Sequence, residues 1–321
     1  MASRPFWSHL SRARDPSASR ARHGAAAAGE LLWAVNFPDS IPADKVMVPC
    51  QDLAGTVVSA GAAASGAFAP GIECTAASTP GGRGRARVRP RAGERAGQDP
   101  RGLGWIEAAA TPLSADGVAG AVCAGDAGRA GVKGDEAARE RNARIRVLVT
   151  GAAGGVGSWV VQLASLAGAG AVVAVCGKGK EEAVRKLGAT EVVDYTKQSI
   201  DEWVAADPAK REVDLVVEMV GGKTLAGCWA AVKEGGAMVC INTPPEYRKP
   251  PGMKKELSKA LFFIVEPLGS NLAEIGELIA AGKVRPVVDS VWEFDDFEKA
   301  FERLESGHAK GKIVIKVSNE A

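Results

Sequence analysis

Residues 146–161 read RVLVTGAAGGVGSWVV, and this stretch decides the fold. A short run of branched apolar residues is followed at once by closely spaced glycines and then by an apolar run that suits a helix. That order predicts a strand, a tight turn and a helix, as at the start of a dinucleotide-binding βαβ unit. Gly151 would make the sharp exit from the strand, Gly154 would admit a pyrophosphate, and Gly157 would let the helix pack closely. The alternative is an ordinary glycine-rich turn between a strand and a helix.

The same alternation continues along residues 145–282. Apolar runs such as residues 171–176 (AVVAVC) and 214–220 (DLVVEMV) read as buried strands, and the segments between them read as helices. Near-continuous apolar strands separated by helices predict a parallel sheet that is covered on both faces. With right-handed crossovers the sheet is doubly wound, so the expected fold class is α/β with a Rossmann sheet.

The chain before residue 145 is less regular. Arginines are scattered among Gly, Ala and Pro in residues 79–101, and residues 114–144 are rich in Gly, Ala and charged side chains. No period of 2 or 3.6 is filled by apolar residues there, so no packed element is predicted. A nucleic-acid-binding arm is the functional reading of the arginines. Aromatic residues are not interleaved with them, so we expect no nucleic-acid partner.

Four parts make up the predicted domain organisation. Residues 1–30 are a disordered or targeting segment that is rich in Arg, Ser and Ala. Residues 31–144 form a smaller, mostly β substrate domain that is interrupted by low-complexity sequence. Residues 145–282 form the dinucleotide-binding domain. Residues 283–321 carry a strand–helix–strand tail, which is more than the sheet needs, so we expect it to rejoin the substrate domain.

Composition excludes several classes of protein. The formal charge of +2 favours no polyanionic partner, and no apolar run is long enough to span a bilayer. None of the six cysteines forms a CxxC pair, and the three histidines are far apart in the sequence. That spacing argues against a structural zinc site and a disulfide scaffold, and it favours a reduced, cytoplasmic protein with a mitochondrial location as the alternative.

Several motifs make the resemblance to a known family specific. They are VLVTGAAGGVG at residues 147–157, KLGAT at 186–190 with VDY at 193–195, VGG at 220–222, GKVRP at 282–286 and LESGHAKGKIV at 304–314. In these motifs the chain resembles the zinc-independent medium-chain dehydrogenase/reductase family, of the quinone oxidoreductase (zeta-crystallin-like) type. The resemblance implies a Rossmann domain with a second, GroES-like domain, and it is patchy before residue 145.

The resemblance also implies a set of site residues. It places Asn36 beside the substrate, as the catalytic candidate, and it implies no metal ligand, since Cys50 is accompanied by no histidine–glutamate pair. The expected cofactor-binding residues are Gly151, Gly154, Gly155, Val156, Gly157, Lys180, Tyr195, Asn242, Phe263, Val265 and Lys312.

The choice of cofactor can be argued from charge. Sites that prefer NAD place an acid at the end of the second strand to bind the ribose 2′-hydroxyl. Here Cys176 is followed by Gly-Lys-Gly-Lys, with no carboxylate before Glu181. Because a 2′-phosphate is anionic, Lys178 and Lys180 favour NADPH; the alternative is that both lysines are solvated charges at a helix start.

The expected activity follows from the family resemblance. It is hydride transfer from NADPH to a small-molecule substrate, a quinone or an α,β-unsaturated carbonyl. A nucleotide-binding protein without catalytic activity is the alternative, because the substrate domain is disrupted. Dimers are usual in the family, which leaves a homodimer as an open expectation.

Overall fold

The computed structural model describes residues 19–26, 52–57, 73–77, 89–90, 103–115, 130–264 and 269–317. The chain divides into two compact units. One unit consists of Ser114–Glu266 with Lys283–Pro286, and the other consists of Met1–Leu113, Pro267–Gly282 and Val287–Ala321. Asn36 and Val265, both predicted site residues, lie outside the described residues, as does Cys50.

The unit around residue 146 is built on a parallel sheet of six strands. The strands are β5 (Arg146–Val149), β6 (Ala171–Cys176), β7 (Glu191–Asp194), β8 (Val213–Glu218), β9 (Val232–Cys240) and β10 (Lys259–Phe262). Their order across the sheet is β10-β9-β8-β5-β6-β7, and every neighbouring pair is parallel. The predicted doubly wound parallel sheet is therefore confirmed. The winding reverses direction between β5 and β8, which makes the gap between their carboxyl ends the switch point of the sheet.

Helices alternate with these strands. They are α2 (Glu136–Asn142), α3 (Gly155–Leu166), α4 (Glu181–Lys186), α5 (Ile200–Ala205), α6 (Pro208–Arg211) and α7 (Gly222–Ala231). Helix α5 shows how the local sequence sets a boundary. Ser199 accepts a bond from the Glu202 amide, and Glu202 accepts one from the Ser199 amide, so the pair forms a reciprocal cap. Gly188, at φ +110°, follows α4 in the left-handed conformation that ends many helices.

Apolar side chains from both faces of the sheet fill its core. All six residues of β6 are buried, as expected for a central parallel strand. Val216 and Met238 on neighbouring strands pack with Leu225 and Trp229 of α7. Within the described residues, no helix is both long enough and apolar enough to cross a membrane.

The second unit contains a mixed six-stranded sheet. Its strands are β1 (Ser19–Ala26), β2 (Asp52–Val57), β3 (Glu73–Ala77), β4 (Arg89–Pro90), β11 (Val288–Glu293) and β12 (Lys312–Lys316), in the order β11-β12-β1-β2-β3-β4. Its helices are α1 (Trp105–Ala109), α8 (Gly269–Ala280) and α9 (Phe297–Glu305). Strand β12 pairs antiparallel with β1 and parallel with β11. Strand β12 of the tail thus pairs with a strand of the N-terminal region.

Three segments differ from the sequence-based expectations. Ser19–Ala26 form a strand within residues 1–30, which were predicted to be a disordered or targeting segment, and Arg89–Pro90 pair with β3 inside the arginine-rich stretch. Pairing between strands uses backbone groups, so a strand can form without an alternating apolar pattern. Glu136–Asn142 form a helix in a region where no element was predicted. Its start was readable, because Asp135 caps the Ala138 amide at 2.9 Å.

Candidate cofactor site

A glycine turn joins β5 to helix α3 at the carboxyl edge of the parallel sheet. Gly151 adopts φ +57°, a left-handed conformation that glycine reaches without steric cost. Gly154 is the N-cap of α3 in an extended conformation, and it has no side chain with which to cap the helix. Gly155 and Val156 are the first two residues of α3. As at any helix start, the first amides have no intrahelical acceptor, so this end can bind an anion.

Close backbone contacts explain the glycine at Gly157. A Cβ atom there would lie 2.2 Å from the Gly151 carbonyl oxygen and 2.7 Å from the Ala152 Cα atom. At Gly154 the nearest atom to an added Cβ would be the Gly151 oxygen, at 3.2 Å. The turn itself therefore requires glycine at Gly157 but only favours it at Gly154. This arrangement fits a bound pyrophosphate, for which an uncrowded backbone at Gly154 is needed.

Cys176, Gly177 and Tyr195 lie close together at the end of β6. The Tyr195 amide donates to the Cys176 carbonyl at 3.1 Å, which places Tyr195 beside the loop that follows β6. A Cβ atom on Gly177 would lie 2.8 Å from the Tyr195 hydroxyl oxygen, so a larger residue there would displace the end of the exposed Tyr195 side chain. Lys180 is half-buried at the start of α4, whereas Lys178 is exposed. An exposed tyrosine and a half-buried lysine thus lie near the end of β6, which is the predicted adenosine end of the site.

Lys180 influences the pKa of Cys176, the last residue of β6. Burial, together with Glu181 and Asp194, raises the pKa of the Cys176 thiol to about 11, while Lys180 acts in the opposite direction. The thiol is therefore neutral at physiological pH and does not compete for the lysine as an anion. Cys228 and Cys240, the other cysteines with described side chains, are also unpaired and buried.

An acid that the sequence reasoning missed lies at the switch point. Glu218 ends β8, and its side chain is fully buried. Its Oε1 atom accepts hydrogen bonds from the amides of Val220 and Gly221, at 2.8 Å and 2.7 Å, and from the Thr150 hydroxyl, at 3.3 Å. The sequence did contain a sign of this role, because Glu218 is a carboxylate inside a mainly apolar strand. Burying a charge there costs free energy, so such a side chain is expected to have a specific task.

The predicted nicotinamide end has two described residues. Asn242 follows β9, and its Oδ1 atom would lie 3.0 Å from a Cβ atom on Gly221. Asn242 is thus held beside the loop that Glu218 supports. Phe263 follows the edge strand β10, is half-buried, and donates its amide to the Cys240 carbonyl at 3.2 Å. These positions are compatible with the predicted roles and do not test them.

Lys312 is placed differently from its predicted role in cofactor binding. Its Nζ atom lies 2.8 Å from the Asp52 Oδ2 atom, and neither side chain is more than 1% exposed. Burial raises the pKa of Asp52, although the charge of Lys312 and the hydrogen bond from the Leu113 amide act against this rise. Because the ammonium group of Lys312 is enclosed beside the carboxylate of Asp52 on strand β2, we leave Lys312 out of the proposed site.

Comparison with known proteins decides the family. A fungal protein from Arthroderma benhamiae, named probable zinc-binding oxidoreductase, mitochondrial, is 38% identical over 90% of this chain and 85% of its own length. A chloroplast envelope quinone oxidoreductase homolog from Arabidopsis thaliana is 31% identical over 84% of this chain and 79% of that protein. The chain belongs to the medium-chain dehydrogenase/reductase family, quinone oxidoreductase type.

Two further matches bear on this medium-chain reductase. A NADPH-dependent alkenal/one oxidoreductase from Arabidopsis thaliana is 37% identical over 55% of the chain and 42% of its own length. The solved structure of a quinone oxidoreductase from Coxiella burnetii covers 94% of the chain and 90% of its own, with a TM-score of 0.72 and 21% identity. The latter likeness concerns the fold alone.

Zinc appears in several of the matching descriptions. The family model that matches residues 187–315 is described as zinc-binding dehydrogenase, and the fungal relative carries the same word. Within the described parts of the reductase, no group of three or more His, Cys, Asp or Glu side chains is arranged to hold a metal. Cys50 lies outside those parts, so independence from zinc stays a prediction.

Proposed function

We propose that this reductase binds NADPH and transfers its hydride to a quinone or an α,β-unsaturated carbonyl. The observation that carries the proposal is the glycine turn at the switch point of a doubly wound sheet, with Lys180 and Tyr195 beside the end of the next strand. Family membership and the names of relatives that act on quinones and alkenals support the choice of reaction.

Each part of the proposed site has a separate task. The first amides of α3 would bind the pyrophosphate, and Lys180 with Tyr195 would hold the adenosine phosphate. Asn242 and Phe263 would flank the nicotinamide, whereas Val265 and Asn36 stay predictions from the sequence. When bound, NADPH supplies the hydride, while the protein contributes position and exclusion of water.

Turnover tests the reaction directly. At constant enzyme concentration, the absorbance of NADPH should fall after addition of an ortho-quinone or an enone. In a parallel reaction with NADH in place of NADPH, the absorbance should fall more slowly. A strong zinc chelator should leave the rate unchanged, because we propose chemistry without a metal. Tight binding of NADPH without turnover of any such acceptor would instead support a binding protein without catalytic activity.

The selectivity for NADPH should depend on Lys180. Replacing Lys180 by alanine should weaken NADPH binding about tenfold and leave NADH binding unchanged, because only NADPH carries the 2′-phosphate. Lys178→Ala is the matched control, since Lys178 is exposed two residues away in the same loop. Fluorescence titration of both variants with both nucleotides measures the effect. Equal losses in the two variants would remove Lys180 from the phosphate site.

Location and assembly remain proposals. The fungal relative is named as mitochondrial, which favours the mitochondrial alternative over the cytoplasmic expectation for this chain. A fluorescent protein fused to the carboxyl end should then coincide with a mitochondrial dye, and a diffuse cytoplasmic signal would contradict this. The homodimer that is usual in the family is tested by light scattering.

A further inference from the structure

A buried acid connects the two loops that border the switch point. Glu218 stands at the carboxyl end of β8, next to β5, where a dinucleotide is expected in folds of this kind. Its Oε1 atom accepts from the Val220 and Gly221 amides of the loop after β8. The same atom accepts from the hydroxyl of Thr150, which belongs to the loop after β5. One oxygen atom thus joins both walls of the crevice.

Thr150 strengthens the connection in the opposite direction. Its hydroxyl oxygen accepts from the Met219 amide at 2.9 Å, while its proton is donated to Glu218. The turn that begins with Gly151 is therefore tied to the β8 loop by two hydrogen bonds through one hydroxyl group. A change in this pair would alter the spacing of the loops without touching any residue predicted to contact the cofactor.

The β8 loop in turn positions Asn242. Gly221 adopts φ +78°, and a Cβ atom added there would lie 3.0 Å from the Asn242 Oδ1 atom, so a side chain would strain the backbone and displace the Asn242 amide. Since Glu218 holds the Gly221 amide at 2.7 Å, it also sets the place of the Gly221–Asn242 contact. The chain of contacts runs from the glycine turn, through Glu218, to the predicted nicotinamide end.

The surroundings of Glu218 favour its uncharged form. Burial raises its pKa above the ordinary value, although the two amides and the Thr150 hydroxyl act against this. Among the residues that the structure describes, the titratable groups that interact with it are the thiols of Cys228 on α7 and Cys240 on β9, and burial raises the pKa of both thiols as well. Within the described residues, its Oε2 atom is buried and has no hydrogen-bond partner. An ionised carboxylate in such a position would be costly.

We infer that Glu218 is a positioning residue, which fixes the separation of the loops after β5 and β8 and thereby the width of the crevice for the dinucleotide. It acts through Thr150 and Gly221, and it contacts neither substrate nor reacting atoms. The inference rests on the proposed function, because the crevice is taken to hold NADPH.

Four variants test it by titration with NADPH. Glu218→Val removes the shared acceptor and should weaken binding about tenfold or more, because three donors lose their partner. Thr150→Val removes only the bridge and should weaken binding about threefold to tenfold. Glu218→Gln resembles the neutral acid and should restore the affinity that valine loses. Val216→Ala, in the same strand and fully buried, is the control; it should lower the melting temperature and change the affinity less than about twofold.

A pH series tests the raised pKa of Glu218 separately. As pH rises above 4.5, the ordinary value for Glu, ionisation favours the unfolded wild type until the raised pKa of the folded state is reached. The melting temperature of Glu218→Gln relative to wild type should therefore rise over that interval and then level off. A difference that does not change with pH above 4.5 would contradict the raised pKa of Glu218 and leave the positioning role to the affinity measurements.

The outcomes separate the two proposals. If wild type binds NADPH and Glu218→Val and Thr150→Val bind equally well, or if Val216→Ala loses as much affinity as they do, the positioning role is wrong and the proposed function stands. If wild type binds neither NADPH nor NADH, the proposed function fails and the positioning role fails with it. If Glu218→Val does not fold, the affinity of Thr150→Val decides.

Discussion

Replacing Lys312 by methionine should lower the free energy of unfolding by about 3–5 kcal/mol, because it leaves the buried carboxylate of Asp52 without its counter-charge. The two groups are 2.8 Å apart and almost fully enclosed. Methionine fills a similar volume, so the expected loss comes from charge and not from a cavity. Urea denaturation followed by tryptophan fluorescence measures it.

The same strand supplies a control for this loss. Lys316 pairs with Glu293 at the same distance of 2.8 Å, but the two side chains are 36% and 54% exposed. Lys316→Met should therefore cost less than about 1 kcal/mol. The double variant Asp52→Asn with Lys312→Met should recover most of the stability, since it buries no net charge. Equal losses of unfolding free energy in Lys312→Met and Lys316→Met would contradict a dominant role for desolvation of the buried pair.

The effect of Lys312→Met should also depend on pH. In the variant, Asp52 lacks the influence of Lys312 that lowers its pKa, so the folded state takes up a proton. As pH falls toward 3.8, the ordinary value for Asp, the carboxyl becomes neutral in the unfolded state as well. The stability difference between wild type and variant should narrow over that interval.

Substitution of Gly157 by alanine should produce the second large effect, a loss of about 3 kcal/mol or more, together with loss of NADPH binding. The added Cβ would lie 2.2 Å from the Gly151 oxygen, and that neighbour is backbone, so the whole turn must move. Thermal unfolding and nucleotide titration of the same sample measure both consequences. A Gly157→Ala protein with wild-type stability and affinity would contradict the close packing of helix α3 on the turn.

Gly154 provides the matched comparison within the same turn. Its added Cβ would have 3.2 Å to the nearest atom, which the structure can accommodate by a small shift. Gly154→Ala should thus cost about 1 kcal/mol or less in stability, as at other N-cap positions. Its NADPH affinity should nevertheless fall about tenfold, because a methyl group occupies the approach of the pyrophosphate. An unchanged affinity would move the pyrophosphate away from Gly154.

The parallel sheet could be predicted from sequence because its strands are short apolar runs that end in glycine or polar turns. Residues 171–176 are six consecutive apolar residues, which predicts a strand that is buried on both faces, and the structure buries all six. The strand β1 (Ser19–Ala26) could not be predicted in this way. Strand β1 is held by backbone hydrogen bonds to β12 and β2, and both of these partner strands are far from β1 in the sequence.

The same limit applies to charged residues of the two units. Asp52 and Lys312 are separated by 260 positions, and only the pairing of strands brings them together. Family resemblance alone had assigned Lys312 to the cofactor. Glu218 sits in an apolar strand, where the sequence reads as a break in the pattern. Its meaning depends on the two loops that it joins, which appear only once β5 and β8 are adjacent.

The position of β12 has a consequence for synthesis on the ribosome. The unit that contains the glycine turn is almost continuous in sequence, from Ser114 to Glu266, and can be completed early. The other sheet inserts β12, translated late, between β11 and β1. A nascent chain that stops before residue 312 therefore presents two unpaired strand edges, which are places where chaperones bind and where aggregation starts.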